Sequence, residues 1–285
     1  MNSAYTIISE EKIPALLKEI PKPPKKLYVR GTLPSLELKW LAVVGSRACS
    51  TYGRQVVRHL ISALTGYPIV IVSGLAYGID AEAHKAALDA GLLTVAIPGS
   101  GVDDRVLYPR AHVNLAKEIL KAGGALVSEF EPLQKAADYT FPQRNRIMAG
   151  ISHATLVIEA KEKSGSLITA RLATDYNREL LVVPGSIFSE ESKGTHQFLK
   201  LGATPVTHAN DILAALHIES KRTDAIARAD LSAHELAVFE LLIVPLERNE
   251  LIEKLSLPIS EAQQLLSLME IKGLIVEHIG YVRRM

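Results

Sequence analysis

Six short apolar runs, separated by stretches with helical spacing, constrain this chain more than any other feature. They are WLAVVG (40–45), PIVIVSG (68–74), LLTVAIPG (92–99), ALVSEF (125–130), ATLVIEA (154–160) and ELLVVPG (179–185). Near-continuous apolar runs of this length suit strands covered on both faces. Between them lie helical segments such as YGRQVVRHLISAL, DAEAHKAALDA and SLITARLATDYNR. Repeated strand–helix–strand units predict an α/β fold with a doubly wound, mostly parallel sheet.

At 285 residues, two domains are expected. Residues 1–39 hold a short helical pattern (Ile13 to Ile20), then PKPPKK and a turn-like GTLP, and form an extension too short for its own core. The main domain is expected over 40–217, with THQFLKLGATPVTHANDILAAL closing it. A polar linker follows at 218–230. Residues 231–285 then show three short helical patterns and a hairpin-like pair, LIVEHI and YVRR, which is the order of a small winged-helix-like domain.

Composition excludes several function classes. At 48% hydrophobic and 22% charged the chain is an ordinary globular one. Cys49 is the only cysteine, so there is no disulfide framework and no thiolate zinc site. No HExxH pair occurs, and neither a metal nor a cofactor is expected. The N-terminus lacks the apolar core of a signal peptide and no apolar run reaches membrane-spanning length, so a cytoplasmic protein without membrane contact is expected. The net charge of +1 leaves nucleic acid open, because a basic groove can hide within a neutral total. Residues 221–285 carry 8 Lys/Arg against 10 Asp/Glu, a net of −2. Near the N-terminus Lys22, Lys25, Lys26 and Arg30 cluster, and their plainest role is a solvated segment.

In open parallel sheets, ligands bind beyond the carboxyl ends of the strands. Those exits read Gly45-Ser46-Arg47, Ser73-Gly74, Pro98-Gly99-Ser100-Gly101, Ser128-Glu129, Ser164-Gly165-Ser166 and Pro184-Gly185-Ser186. Glycine admits close backbone approach, serine donates hydrogen bonds, and helix N-termini offer free N–H groups to an anion. A phosphate-binding rim follows. Neither a Walker loop nor a complete dinucleotide fingerprint is present. Asp80 and His84 stand four apart on one helix, where an ion pair or a capping contact accounts for them. Ser46 and Ser73 have neither an elbow motif nor a nearby histidine, so catalysis gains little support. The rim instead collects Arg47, Arg110, Lys161 and Lys163, with Arg144 and Arg146 just upstream, and Tyr52, Tyr108 and Phe141 as stacking faces. A cationic groove with aromatic faces suits single-stranded nucleic acid.

The motifs VGSRACSTYG (44–53), VSGLAYGIDAEAH (72–84), LYPRAH (107–112), FPQRNRIMAG (141–150), EAKEKSGSLITA (159–170) and VPGSIFSEESKGTHQFLKLGA (183–203) occur in one order. Together they resemble the DNA-processing protein A family, also called DprA or Smf, over roughly residues 13–205. That resemblance implies a Rossmann-like domain that binds single-stranded DNA and helps load the RecA recombinase in natural transformation and recombination, without turnover and usually as a homodimer. It also implies that the GSR turn and the FxxRNR segment form the DNA pocket. Here these are Gly45, Ser46, Arg47, Phe141, Arg144, Asn145 and Arg146. Arg110 and Lys161 join as basic residues flanking motif positions, and Ser164 and Gly165 as a strand exit. Two departures stand out. The stretch before Trp40 is too short for the helical N-terminal domain of some members, and the acidic C-terminal unit suits a protein contact better than DNA. The alternative is a nucleotide-processing enzyme or nucleotide-sensing module on a related sheet, although the PGGxGT signature of phosphoribohydrolases is absent.

Within TFPQRNR, Thr140 and Gln143 have capping-box spacing, and a helix is expected from there with Ile147, Met148 and Ile151 inward. Arg144 and Arg146 lie about 200° apart around it. Arg144 is expected at the rim and in contact with DNA, whereas Arg146 is expected to brace Glu129 or Glu131.

Overall fold

The computed structural model describes residues 5–219, 231–242, 245–272, 274–278 and 280–284. The chain divides into two compact units, Met1–Glu219 and Ser220–Met285. Most of the expected linker, residues 220–230, lies outside the described residues.

The first unit is a nine-stranded sheet in the order β1-β2-β6-β5-β4-β3-β7-β8-β9. Six strands coincide with the apolar runs: β3 (Lys39–Val44), β4 (Ile69–Ser73), β5 (Leu93–Ala96), β6 (Ala125–Ser128), β7 (Ala154–Val157) and β8 (Glu179–Val182). They pair in parallel, with Leu41 opposite both Ile71 and Ala154. A short β9 (Thr204–Pro205) adds to β8. The N-terminal segment contributes β1 (Thr6–Ser9) and β2 (Lys26–Gly31), and β2 runs antiparallel to β6. It has no core of its own. Ile13, Leu17, Ile20, Leu27 and Val29 instead join the main core.

Alternation along β3 shows how both faces are buried. Trp40, Ala42 and Val44 point to one side, and Leu41 and Val43 to the other. The first side is covered by α1 (Ala15–Lys18), α5 (Thr140–Ile151), α6 (Ser166–Asp175) and α7 (Lys193–Lys200). The second is covered by α2 (Thr51–Ser62), α3 (Ile79–Asp89), α4 (Val113–Lys121) and α8 (Ala209–Ala215). The six strands of the apolar runs are therefore covered on both faces, which is why the runs read as continuous.

Strand order places the site. The chain winds outward from β3 through β4 and β5 to β6, then returns through α5 to β7 on the other side of β3. The β3–β7 boundary is the topological switch point, where the following loops diverge and leave a crevice.

The second unit has helices at Ala233–Leu241, Arg248–Lys254 and Ile259–Ile271. Strands Leu246–Glu247, Ile275–His278 and Tyr281–Arg284 form a small antiparallel sheet around Val238, Leu251, Leu266, Met269, Ile275 and Val282. Ser232 opens the first helix in a reciprocal capping box with Glu235. Three of its cations are engaged by carboxylates: Arg248 by Glu270 and Glu277, Lys254 by Glu250, and Lys272 by Glu235. Among the described residues no helix is long and apolar enough to cross a membrane.

Candidate nucleic-acid interface

At the end of β3 the turn Gly45-Ser46-Arg47 is stitched to its surroundings. Ser46 N donates to Glu159 O across the switch point at 2.8 Å, and Ile79 N donates to Ser46 O at 3.1 Å. A methyl group on Gly45 would lie 2.6 Å from Ile79 Cγ1, so only glycine permits this approach. Glu159, 4% exposed, accepts from Ser50 N at 2.9 Å and Ser50 Oγ at 2.5 Å. Ser50 in turn caps α2, accepting from Gly53 N. Arg47 thus projects into solvent from a turn that is braced on both sides.

Beyond this turn opens a cleft of about 510 Å³. Gly45, Ser46 and Arg47 form one wall, Phe141, Arg144 and Asn145 of α5 another, and Lys161, Ser164 and Gly165 a third. Nine residues expected from sequence therefore meet in one place. The Arg47 guanidinium sits 5.0 Å from the centroid of the Phe141 ring. Asn145 Nδ2 reaches Gly165 O at 3.4 Å, linking α5 to the β7–α6 loop. α6 starts at Ser166 with no acidic residue in its first turn, so its dipole favours an anion, while Ser166 N, Leu167 N and Ile168 N donate within the loop to Ser164 Oγ, Ser164 O and Gly165 O. Lys161 is largely exposed and pairs with Glu191 at 3.2 Å.

Arg144 forms part of the floor. It is only 4% exposed and donates to Ile97 O. Burial pulls its guanidinium pKa down to about 10, and the Asp80 carboxylate opposes that shift. Burial likewise raises the Asp80 pKa, with Arg144 opposing. Both groups crowd Gly74: a methyl group there would lie 1.8 Å from Arg144 Nη1 and 2.5 Å from Asp80 Oδ2. Asp80 thus supplies a nearby buried counter-charge without an ion-pair contact, and Arg144 Nε is buried with no hydrogen-bond partner among the described residues.

Arg110 and Arg146 do not line the cleft. Arg110 is exposed and donates to Asp104 O. Arg146 turns to Glu129 and to Lys22 O, so the two arginines of TFPQRNR diverge. Tyr52 also lies elsewhere, its hydroxyl donating to Pro184 O at 3.0 Å beside a separate hollow formed with Val56, His59 and Leu60. Two local expectations are corrected. No capping box forms at Thr140, which lies inside the helix and whose Oγ1 exchanges hydrogen bonds with Ala137 N and O. Asp80 does not pair with His84. It accepts from Gly74 N and Ala76 N, while buried His84 Nδ1 meets Thr94 Oγ1 at 2.7 Å.

Sequence reasoning missed Asp80 as the partner of Arg144, and it missed Tyr77 and Asp138 at the rim. Asp80 and Tyr77 lie inside the quoted motif 72–84, but their role depends on how the β4–α3 turn folds onto α5. Among the described residues no group of three or more His, Cys, Asp or Glu could hold a metal ion.

Comparison with known proteins adds a separate line. A family model described as DNA recombination-mediator protein A matches residues 4–217. Protein Smf of Escherichia coli K12 is 45% identical over 193 residues, covering 68% of this chain and 51% of that protein. The chain thus spans about half the length of that relative. DNA processing protein DprA of Streptococcus pneumoniae R6 is 42% identical over 207 residues, covering 73% of this chain and 72% of its own. The X-ray structure of DprA from S. pneumoniae superposes with a TM-score of 0.69 at 39% identity, over 76% of this chain and 75% of that one. A structure of DNA processing protein A from Helicobacter pylori, described for its single-stranded DNA binding mode, superposes with a TM-score of 0.66 at 30% identity, over 76% and 98%.

Proposed function

Because this chain belongs to the DNA recombination-mediator protein A family, we propose that it binds single-stranded DNA in the β3–β7 cleft as a recombination mediator, without turnover. One observation carries this: a cleft at the switch point joins an exposed arginine over an aromatic ring, a buried arginine and the exposed Lys161 beside the start of α6. Phosphate would meet Arg47 and Lys161 at the positive end of α6, and a base would lie against Phe141. Stacking on an aromatic face tolerates every base, while the cations track the backbone.

The carboxylates at the strand ends do not suit chemistry. Glu159 is committed to Ser50, and Glu129 to Arg146. A general acid or base must reach a substrate proton, and each of these already holds a structural partner.

In this reading the strand held along the cleft is passed to a RecA-type recombinase, with the protein acting as a cytoplasmic homodimer. The second unit, whose helix and strand order is that of a winged helix, contributes a protein contact. Its net negative charge and engaged cations support that role over a DNA contact.

Competition binding tests the reading. Labelled oligo-dT should be displaced by unlabelled single strands far better than by duplex DNA or mononucleotides, and no free base should appear on prolonged incubation. Equal displacement by a mononucleotide, or release of base, would favour the enzyme or sensor alternative.

A further inference from the structure

The cleft does not end at Phe141. A shallow recess adjoins it, bounded by Tyr77, Tyr108 and Pro109 and sharing Arg47, Phe141 and Arg144 with the cleft. Its enclosed volume is about 20 Å³, far too small to swallow a base. What it presents outward are two half-exposed rings, Tyr77 and Tyr108, each 46% exposed.

Both rings are fixed in place. Tyr108 lies 5.9 Å from Phe141, centroid to centroid and tilted by 57°, and its neighbours Leu107 and Pro109 are buried. Tyr77 stands edge-on to His112 at 5.0 Å, and His112 Nδ1 is itself bonded to Leu75 O at 2.8 Å. The backbone beneath Tyr77 is unusual. Fully buried Leu75 has φ 59° and Gly78 has φ 72°, so two left-handed residues bracket Ala76 and Tyr77. A non-glycine residue in that region persists only where its surroundings impose it, and such strain gathers at binding sites. Here the surroundings are the Leu75 side chain in the core and the Asp80 carboxylate, which accepts from Gly74 N and Ala76 N. The turn is spent on holding a large aromatic ring in solvent beside a cationic cleft.

We propose that Tyr108 and Tyr77 form a second stacking platform that receives the nucleotides next to the one on Phe141, extending the single-strand track from the cleft toward the β4–α3 turn. The inference rests on the cleft being a single-strand site. It adds a direction to the track and a set of residues that read none of the bases but lengthen the footprint. Rings locked before binding lose little freedom on contact, so their area converts efficiently into affinity.

Length dependence tests it. Labelled oligo-dT from about 3 to about 16 nucleotides brackets the usual footprint of such grooves. Affinity should rise with length in the native protein, and Tyr77→Ala should shrink that rise about tenfold, the usual scale for one stacked base. Tyr77→Phe, which keeps the ring, should restore the rise. Arg47→Ala should instead weaken short and long oligomers alike. Independently of any variant, photocrosslinking with 5-iododeoxyuridine-substituted oligomers should yield adducts on Tyr77 or Tyr108. An unaltered rise in Tyr77→Ala together with crosslinks confined to Phe141 would overturn the platform and leave the cleft assignment standing. Failure of the native protein to bind any oligomer would overturn both.

Discussion

Arg47 lies over the face of Phe141, its guanidinium carbon 5.0 Å from the ring centroid. The pair joins the two motifs at the switch point, one from the β3 exit and one from the first turn of α5. A ring with a cation at its face brings a stacking surface and a charge for phosphate to one point of the cleft. Arg47→Ala is expected to weaken oligo-dT binding about tenfold and to flatten the salt dependence by roughly 0.7 in log–log slope, one phosphate contact. Circular dichroism should show native folding, because the side chain is exposed.

Arg144 behaves differently because it is buried with Asp80. Asp80→Asn removes a buried counter-charge near Arg144 and weakens the acceptor for Gly74 N and Ala76 N, and is expected to cost about 1–3 kcal/mol of stability in urea unfolding, the usual scale for a buried polar group losing its partner. Gly74→Ala pushes a methyl group into the same guanidinium and is expected to cost about 1–3 kcal/mol. Both should also lower oligo-dT affinity, since each displaces Arg144 from the cleft floor.

The six parallel strands were legible because both of their faces are covered, so the sequence shows unbroken apolar runs. β2 was not. Its Lys26–Gly31 segment begins on the last lysine of PKPPKK and places Leu27, Tyr28 and Val29 between Lys26 and Arg30. β9 is two residues long and carries no periodic signal at all. In the site, the divergence of Arg144 and Arg146 follows from helical geometry, so sequence was enough. Asp80 as partner of Arg144 is a tertiary fact, set by the β4–α3 turn folding against α5. The four-residue spacing to His84 pointed the wrong way, because the core withdraws His84 toward Thr94.

His84 makes the fold acid-sensitive. Complete burial lowers its pKa from 6.5 to about 3, so it stays neutral in the folded protein while the unfolded chain takes up a proton below pH 6.5. Its stabilising contribution is therefore full above pH 6.5 and is lost as pH falls toward 3. Between pH 7.5 and pH 5 the loss should reach about 2 kcal/mol. Urea unfolding at the two values measures it, and His84→Gln should remove most of the difference.

Glu159 holds the turn that carries Arg47. Glu159→Ala removes two hydrogen bonds to Ser50 and is expected to cost about 1–3 kcal/mol, with a parallel drop in oligo-dT affinity. The salt slope should stay near native, since no cation is lost. A catalytic role would instead show as a loss of turnover with stability unchanged.

Truncation after residue 219 addresses the second unit. Oligo-dT affinity should stay within about threefold of the full chain, as expected where no phosphate contact is removed. A much larger loss would place DNA on that unit despite its negative charge.

A salt series on oligo-dT shows whether the β3–β7 cleft holds a phosphate backbone. The logarithm of the association constant should fall linearly with the logarithm of salt concentration, by about 0.7 for each phosphate neutralised, and the Arg47→Ala line should be weaker and shallower. Salt-independent binding, or an Arg47→Ala line that coincides with the native one, would contradict that role for the cleft.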